Sequence, residues 1–435
     1  MRRVLAAIAA VAIATTAAVP PFEGDAQKPP WFVVESALPF NAIQGATAMW
    51  GVHAGAGYRI EVPANWNGHL VMYAHGYRGT GPQLTVSNPP IRAHLIAQGY
   101  AWAASSFRAN GYVPGIGALD THRLLEKFAD LVGEPDLVYM TGTSMGGHVT
   151  GAAIEQWPDD FDGAQPECGV MGDNELFDYF QDAYLLAETL AGNEPEVPTP
   201  SDYFTSADGW PATRVALGPN FPVVLNAAGE RYKSIIENLT GGDRPTYDEG
   251  FRGGTGGAFI FNFGSATTGG GRSNIDTVYQ FDADPALTAE EQAFNDEIVR
   301  IEGPPQFLHP DGMGVAPGLD ANSPRINGDI SIPVISTHTL GELFVPFHME
   351  QIYAQRVAEH GKSDLLVTRA IRDIGHCAFS SAERIRAFDD LRAWVEDGVV
   401  PAGDDVLDPA TVADPAFGCQ FTTPDRGTWP KCSDL

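Results

Sequence analysis

Gly142-Thr143-Ser144-Met145-Gly146 constrains this chain more than any other stretch. An apolar run, Leu137 to Met140, precedes it, and a small-residue helical run follows from Gly146. This spacing suits a strand that turns abruptly into a helix with the serine at the apex. The glycines let strand and helix approach closely, while the serine accepts a strained backbone. The serine hydroxyl then stands at the carboxyl end of a sheet, and the N–H of Met145 points to where a negative oxygen would develop. Alone, the pattern also fits a glycine-rich turn with an incidental serine, so the surrounding sequence has to add its weight.

That sequence alternates between two periods. Tyr58–Val62 and Leu70–Ala74 read as strands, the second apolar throughout, as for a strand covered on both faces. Ile91–Gln98 reads as a helix and Tyr100–Ser106 as a strand. Leu124, Leu125, Phe128, Leu131 and Val132 mark one face of another helix. The strand Leu137–Thr141 leads into the serine turn, followed by a helix over 147–157 and a strand ending at Cys168. From Gly172 to about Asp329 the rhythm stops, then returns with a strand at 332–337, a helix at 348–360, a strand at 365–371 and a helix at 381–396. Ser380 and Glu383 form a capping box for that last helix. Strands and helices joined by short links imply an α/β fold, a doubly wound, mostly parallel sheet. Residues 173–329 are then a large insertion between late strands, read as a cap over the site, and 399–435 a C-terminal tail.

Acidic residues number 55 against 26 basic, a formal charge of −29. Such a surface repels nucleic acid and anionic membranes, so neither is an expected partner. At 44% apolar and 19% charged residues, the composition excludes a disordered chain. Arg2 and Arg3 before the apolar run Val4–Ala18 read as an export signal within residues 1–26, too short to remain as a membrane anchor. A secreted or periplasmic protein follows from that reading. Four cysteines, Cys168, Cys377, Cys419 and Cys432, form an even set in such a chain, so disulfides are the default. Cys419 and Cys432 close a short loop whose bridge would contribute roughly 3 kcal/mol. Cys168 and Cys377 then pair by elimination, or remain buried free thiols. No zinc-like spacing occurs, and no metal or cofactor is expected.

A serine hydroxyl needs a positioned base, and the base needs a carboxylate to hold its tautomer. His376 follows the last strand on the loop Asp373-Ile374-Gly375-His376-Cys377, at the same sheet edge as the serine. His338 and His348 read as packing or rim residues and His148 as structural. Glu342, after the preceding strand, is the first choice of acid; Asp173 is the runner-up and Asp373 the third. The loop His75-Gly76-Tyr77 would supply a second oxyanion donor, the N–H of Tyr77, beside that of Met145, with His75 stiffening it.

With Ser144, Glu342 and His376 in that order, residues 58–172 and 330–398 resemble the α/β-hydrolase superfamily. The resemblance implies a serine hydrolase that works through an acyl-enzyme. Tyr77 with Ser144-Met145 is similar to the oxyanion arrangement of bacterial cutinases and polyester hydrolases, which lack a large insertion. Gly375-His376-Cys377 resembles the tannase and feruloyl esterase group, where cysteines beside the serine and histidine are bridged. Thr143 stands before Ser144 here, so any equivalent tie would have to run from Cys168 to Cys377. The leading expectation is an exported carboxylic-ester hydrolase acting on a small or polymeric ester, with an aromatic or polyester substrate as one version. A prolyl oligopeptidase-like peptidase, an acyltransferase and a catalytically dead binding module are the alternatives. Tyr179, Phe180, Tyr184, Tyr203, Phe204, Trp210, Phe259, Phe261 and Phe263 give the insertion an aromatic content that suits a pocket or, for most of them, its own core.

Overall fold

A computed structural model describes residues 31–197, 199–200, 202–253, 273–302 and 323–435, with the strand pair Phe307–Leu308 and Gly314–Val315. The proposed signal segment and Phe259, Phe261 and Phe263 lie outside the described residues.

Eight strands form one sheet: β1 (Ala46–His53), β2 (Ala56–Pro63), β3 (His69–Ala74), β4 (Ala101–Ser105), β5 (Leu137–Thr143), β6 (Gly163–Glu167), β7 (Val334–Thr339) and β8 (Leu366–Ile371). Their spatial order is β8-β7-β6-β5-β3-β4-β2-β1. The six strands from β3 to β8 run parallel, while β2 pairs antiparallel with β1 and with β4. Both faces of the parallel part are covered, so β4 is buried at every position and β3 at all but His69. The helices flanking it are α1 (Arg92–Ala97), α2 (Pro114–Leu131), α3 (Met145–Gln156) and, later in the chain, Ser381–Asp397, whose Ser380/Glu383 capping box is present as read.

Three element limits differ from the sequence reading for physical reasons. The segment before Tyr58 contains β1, turned into β2 by Ala54 and Gly55 at φ 49° and 88°. Its pattern is hard to read because it is an edge strand on which the apolar Trp50 and Val52 face solvent. The helix seen from Leu124 onward begins at Pro114, whose fixed φ suits a first turn. Strand β7 starts at Val334 because Pro333 has no N–H to donate, although its carbonyl still accepts from Ala164.

The insertion contributes α4 (Glu175–Ala191), α5 (Trp210–Leu217), α6 (Ala227–Leu239), α7 (Tyr247–Gly253) and α8 (Ala289–Glu297). Their apolar faces form a core with Phe177, Tyr179, Phe180, Tyr184 and Tyr203 inside it. Leu343, Val345 and Met349 belong to the same core, and the described residues from Trp31 onward pack as one unit. The insertion therefore rests on the segment that carries Glu342. Helix α9 (His348–Glu359) follows that segment, and the terminal helix over 381–397 is α10.

Candidate active site

Ser144 sits between β5 and α3 at φ 61° and ψ −122°, a region that costs a non-glycine residue of order 1–3 kcal/mol. Close packing leaves the turn no other path. A Cβ on Gly146 would lie 2.1 Å from the carbonyl oxygen of Ala74, and one on Gly142 would lie 2.0 Å from that of Gly146. The Ser144 N–H donates to the Glu167 carbonyl at the end of β6, fixing the apex from the far side.

His376 reaches this apex from the loop after β8. Its Nε2 lies 2.8 Å from Ser144 Oγ, and its Nδ1 contacts Glu342 Oε2. Glu342 is fully buried on the loop after β7, where Thr339 Oγ1 donates to its other oxygen at 2.8 Å. Phe344 packs edge-to-face on the imidazole, with ring centroids 5.0 Å apart. One wall of the histidine is thus apolar, while the ring keeps partial access to solvent.

The histidine loop is fastened at several points that linear spacing does not reveal. Cys377 is bridged to Cys168, the residue after β6, and Cys419 to Cys432 in the tail. The sulfurs beside His376 are thus disulfide-bonded and offer no thiolate to a metal. Arg384 on α10 donates to the carbonyls of Phe379 and Cys377 and to Glu167, whose carboxyl is pushed up by burial and held down in part by that guanidinium. From the tail, Arg426 binds Asp373, Glu383 and the Ala378 carbonyl, so it grips the loop on both sides of the histidine.

The other two candidate acids, and His148 and His75, are engaged elsewhere. Asp173 Oδ2 accepts from Arg356 at 2.7 Å and from the Ile326 N–H at 3.0 Å; it organises the return of the insertion, not the imidazole. Asp373 faces Arg426 and the Gly375 N–H. His148 is buried in α3 between the Tyr112 hydroxyl and the Pro324 carbonyl. His75 stacks on Phe107 and contacts the carbonyls of Gly76 and Ser106; burial, then Arg78, lowers its pKa to about 4. It braces a loop that passes directly against the serine, since a Cβ on Gly76 would lie 3.1 Å from Ser144 Cβ. Tyr77 comes next on that loop. Met145 opens α3, and N–H groups in a first helical turn have no partner within the helix.

The strand order, the elbow after β5 and the carboxylate and histidine on the loops after β7 and β8 make this an α/β-hydrolase fold. No protein-family model matches the chain. The o-phthalyl amidase of Xanthobacter agilis is 25% identical over 403 residues, which is 80% of this chain and 87% of that protein. Among solved structures, feruloyl esterase B from Aspergillus oryzae is similar with a TM-score of 0.44 and 14% identity, over 82% of each chain. An esterase from Aspergillus oryzae gives a TM-score of 0.47 at 14% identity, over 82% of this chain and 80% of that one.

Proposed function

We propose that this protein is a serine hydrolase of carboxylic acid derivatives, with carboxylic esters as its leading substrates. The reading rests on one observation above all. A strained, sheet-edge serine hydroxyl lies 2.8 Å from an imidazole nitrogen whose other nitrogen is held by a fully buried carboxylate. Ser144 Oγ attacks the acyl carbon while His376 Nε2 takes its proton, and the N–H groups of Tyr77 and Met145 receive the oxyanion. The same proton passes to the leaving oxygen as its bond to carbon breaks. Water, activated by His376, then frees the acid and restores the serine. Glu342 keeps the proton of the resting imidazole on Nδ1 and stabilises the imidazolium. Phe344, packed edge-to-face on the imidazole and backed by the buried Phe180, gives this side of the site an aromatic character that favours an aryl acyl group. Export fits the two disulfides, because such bonds persist in oxidising compartments.

A second reading, hydrolysis of an aryl amide, is favoured by the likeness to the o-phthalyl amidase. The leaving nitrogen must then be protonated by His376 as the bond breaks. Both readings need Ser144. A fluorophosphonate probe should label the protein, and Ser144→Ala should lose both the label and at least about 10³-fold in turnover. Labelling that persists in Ser144→Ala would remove the nucleophile and the reading with it. Aryl esters and a phthalyl amide assayed side by side separate the two versions, since comparable turnover of the amide moves the chain to the second.

A further inference from the structure

Behind the carboxylate of the site lies a second titratable group that the reaction above does not use. His338, in β7, is fully buried, with its Nε2 2.7 Å from the Val345 carbonyl and 3.5 Å from Glu342 Oε1. Its Nδ1 faces Glu350 Oε2, on α9, at 3.6 Å. Glu350 is fully buried as well; Ser336 Oγ donates to one of its oxygens, and the other has no hydrogen-bond partner. The ring therefore lies between two carboxylates in a space closed to water.

The contacts favour one protonation state of that ring. With Nε2–H donated to Val345, a neutral ring would aim the Nδ1 lone pair at a carboxylate. Two buried carboxylates with no cation between them would also carry a heavy desolvation cost. A proton on Nδ1 removes both penalties. The other groups packed here do not supply the charge. His348, on α9, is driven down to about 3 by burial, then by Arg244 and His338, and is neutral. Arg244, from the insertion, directs its donors to the Leu340 and Gly242 carbonyls and the Thr240 hydroxyl. Burial alone would lower the His338 pKa, but Glu350, Glu342 and the Val345 carbonyl together raise it above the ordinary histidine value.

We propose that His338 is a positioning residue of the site, an imidazolium held between Glu342 and Glu350. Two negative charges and one positive leave the buried cluster with a single net negative charge. That charge matches the single positive one that appears on His376 when Ser144 attacks. His338 also places its charge 3.5 Å from Glu342 Oε1, the oxygen that His376 does not contact. This inference rests on the serine-hydrolase reading.

The charge count makes the test directional. In His338→Gln two uncompensated carboxylates stand behind His376, and the acid limb of kcat/KM moves up by about one pH unit. In Glu350→Gln the cluster loses a negative charge and the limb moves down. The double variant His338→Gln/Glu350→Gln regains the native net charge, and its limb returns close to wild type. The downfield NMR signal of the His376 Nδ1 proton should titrate in the same order, without any substrate. A limb and signal unchanged in His338→Gln would mean a neutral ring and overturn the proposal. So would a double variant that is no closer to wild type than the single one. If His338→Gln alone is too unstable to measure, an unmoved limb in Glu350→Gln overturns it equally. Turnover persisting in Ser144→Ala would instead defeat the hydrolase reading, while the NMR titration would still judge His338.

Discussion

The two sides of the site are built in different ways. On the sheet side, Ser144 and His376 are set by backbone strain, a disulfide spanning 209 residues of sequence and guanidinium clamps from Arg384 and Arg426. On the inserted side, the described residues give no member to the trio. They touch it through packing instead: Tyr179 donates to the Leu343 carbonyl, and Phe180 stacks on Phe344, which meets the histidine edge-to-face. Geometry is over-determined around the proposed nucleophile and base, and softer on the inserted side. Changes on the sheet side should therefore appear in kcat, whereas changes in the insertion should appear in KM or stability.

The sharpest way to break this contrast is at the bridge. Cys168→Ser/Cys377→Ser removes the covalent tie between the end of β6 and the histidine loop. A loss of about 2–5 kcal/mol in unfolding free energy is expected, with a fall in kcat greater than any rise in KM. Denaturant unfolding and steady-state kinetics measure both, and an unchanged kcat would show that Arg384 and Arg426 hold the loop unaided. The matching change in the insertion is Glu188→Ala. Glu188 is buried on α4 and accepts from Tyr203, Thr213 and Asn193. Its loss leaves buried hydroxyls unpaired and should cost about 2–3 kcal/mol of stability while kcat stays within about twofold. A kcat that collapses while the protein remains folded would erase the distinction between the two sides.

How much of this could be read from the sequence follows the same division. The core strands from Leu70 to Cys168 were legible because doubly covered strands are short apolar runs and their helices keep a 3.6-residue period. Ser144, His376 and Glu342 could be placed because each sits one loop after a readable strand, and the structure brings these three together. Edge strand β1 escaped because its solvent face carries the apolar Trp50 and Val52, which blurs the alternation. His338 was visible only as a strand-end histidine; its meaning depends on Glu350, twelve residues away on a helix. The grip of Arg426 depends on a tail whose path no periodicity describes. The insertion stayed opaque because its helices bury aromatic residues on more than one face, as in α4, which hides the amphipathic stripe.

The smallest expected effect lies inside that insertion and concerns pH. Asp178 and Asp182, one helical turn apart on α4, are displaced upward to about 8 and about 7. Burial is the main cause for both, and Glu175 adds to it in each case. The folded chain therefore prefers them protonated. The stability they contribute is fully present below the ordinary carboxylate range and is lost as pH rises through about 7 to 8. Tm should accordingly fall between pH 5 and pH 8.5 (an interval in which ordinary carboxylates no longer titrate). Asp178→Asn keeps an oxygen for the Ser273 N–H, now accepted at 2.6 Å, and carries no charge to desolvate. Its Tm curve should be flatter over that interval and cross above that of the wild type at the alkaline end. Parallel curves for the two proteins would place the half-buried Asp178 carboxylate in water and remove its desolvation from the account of α4, with kcat untouched in either case.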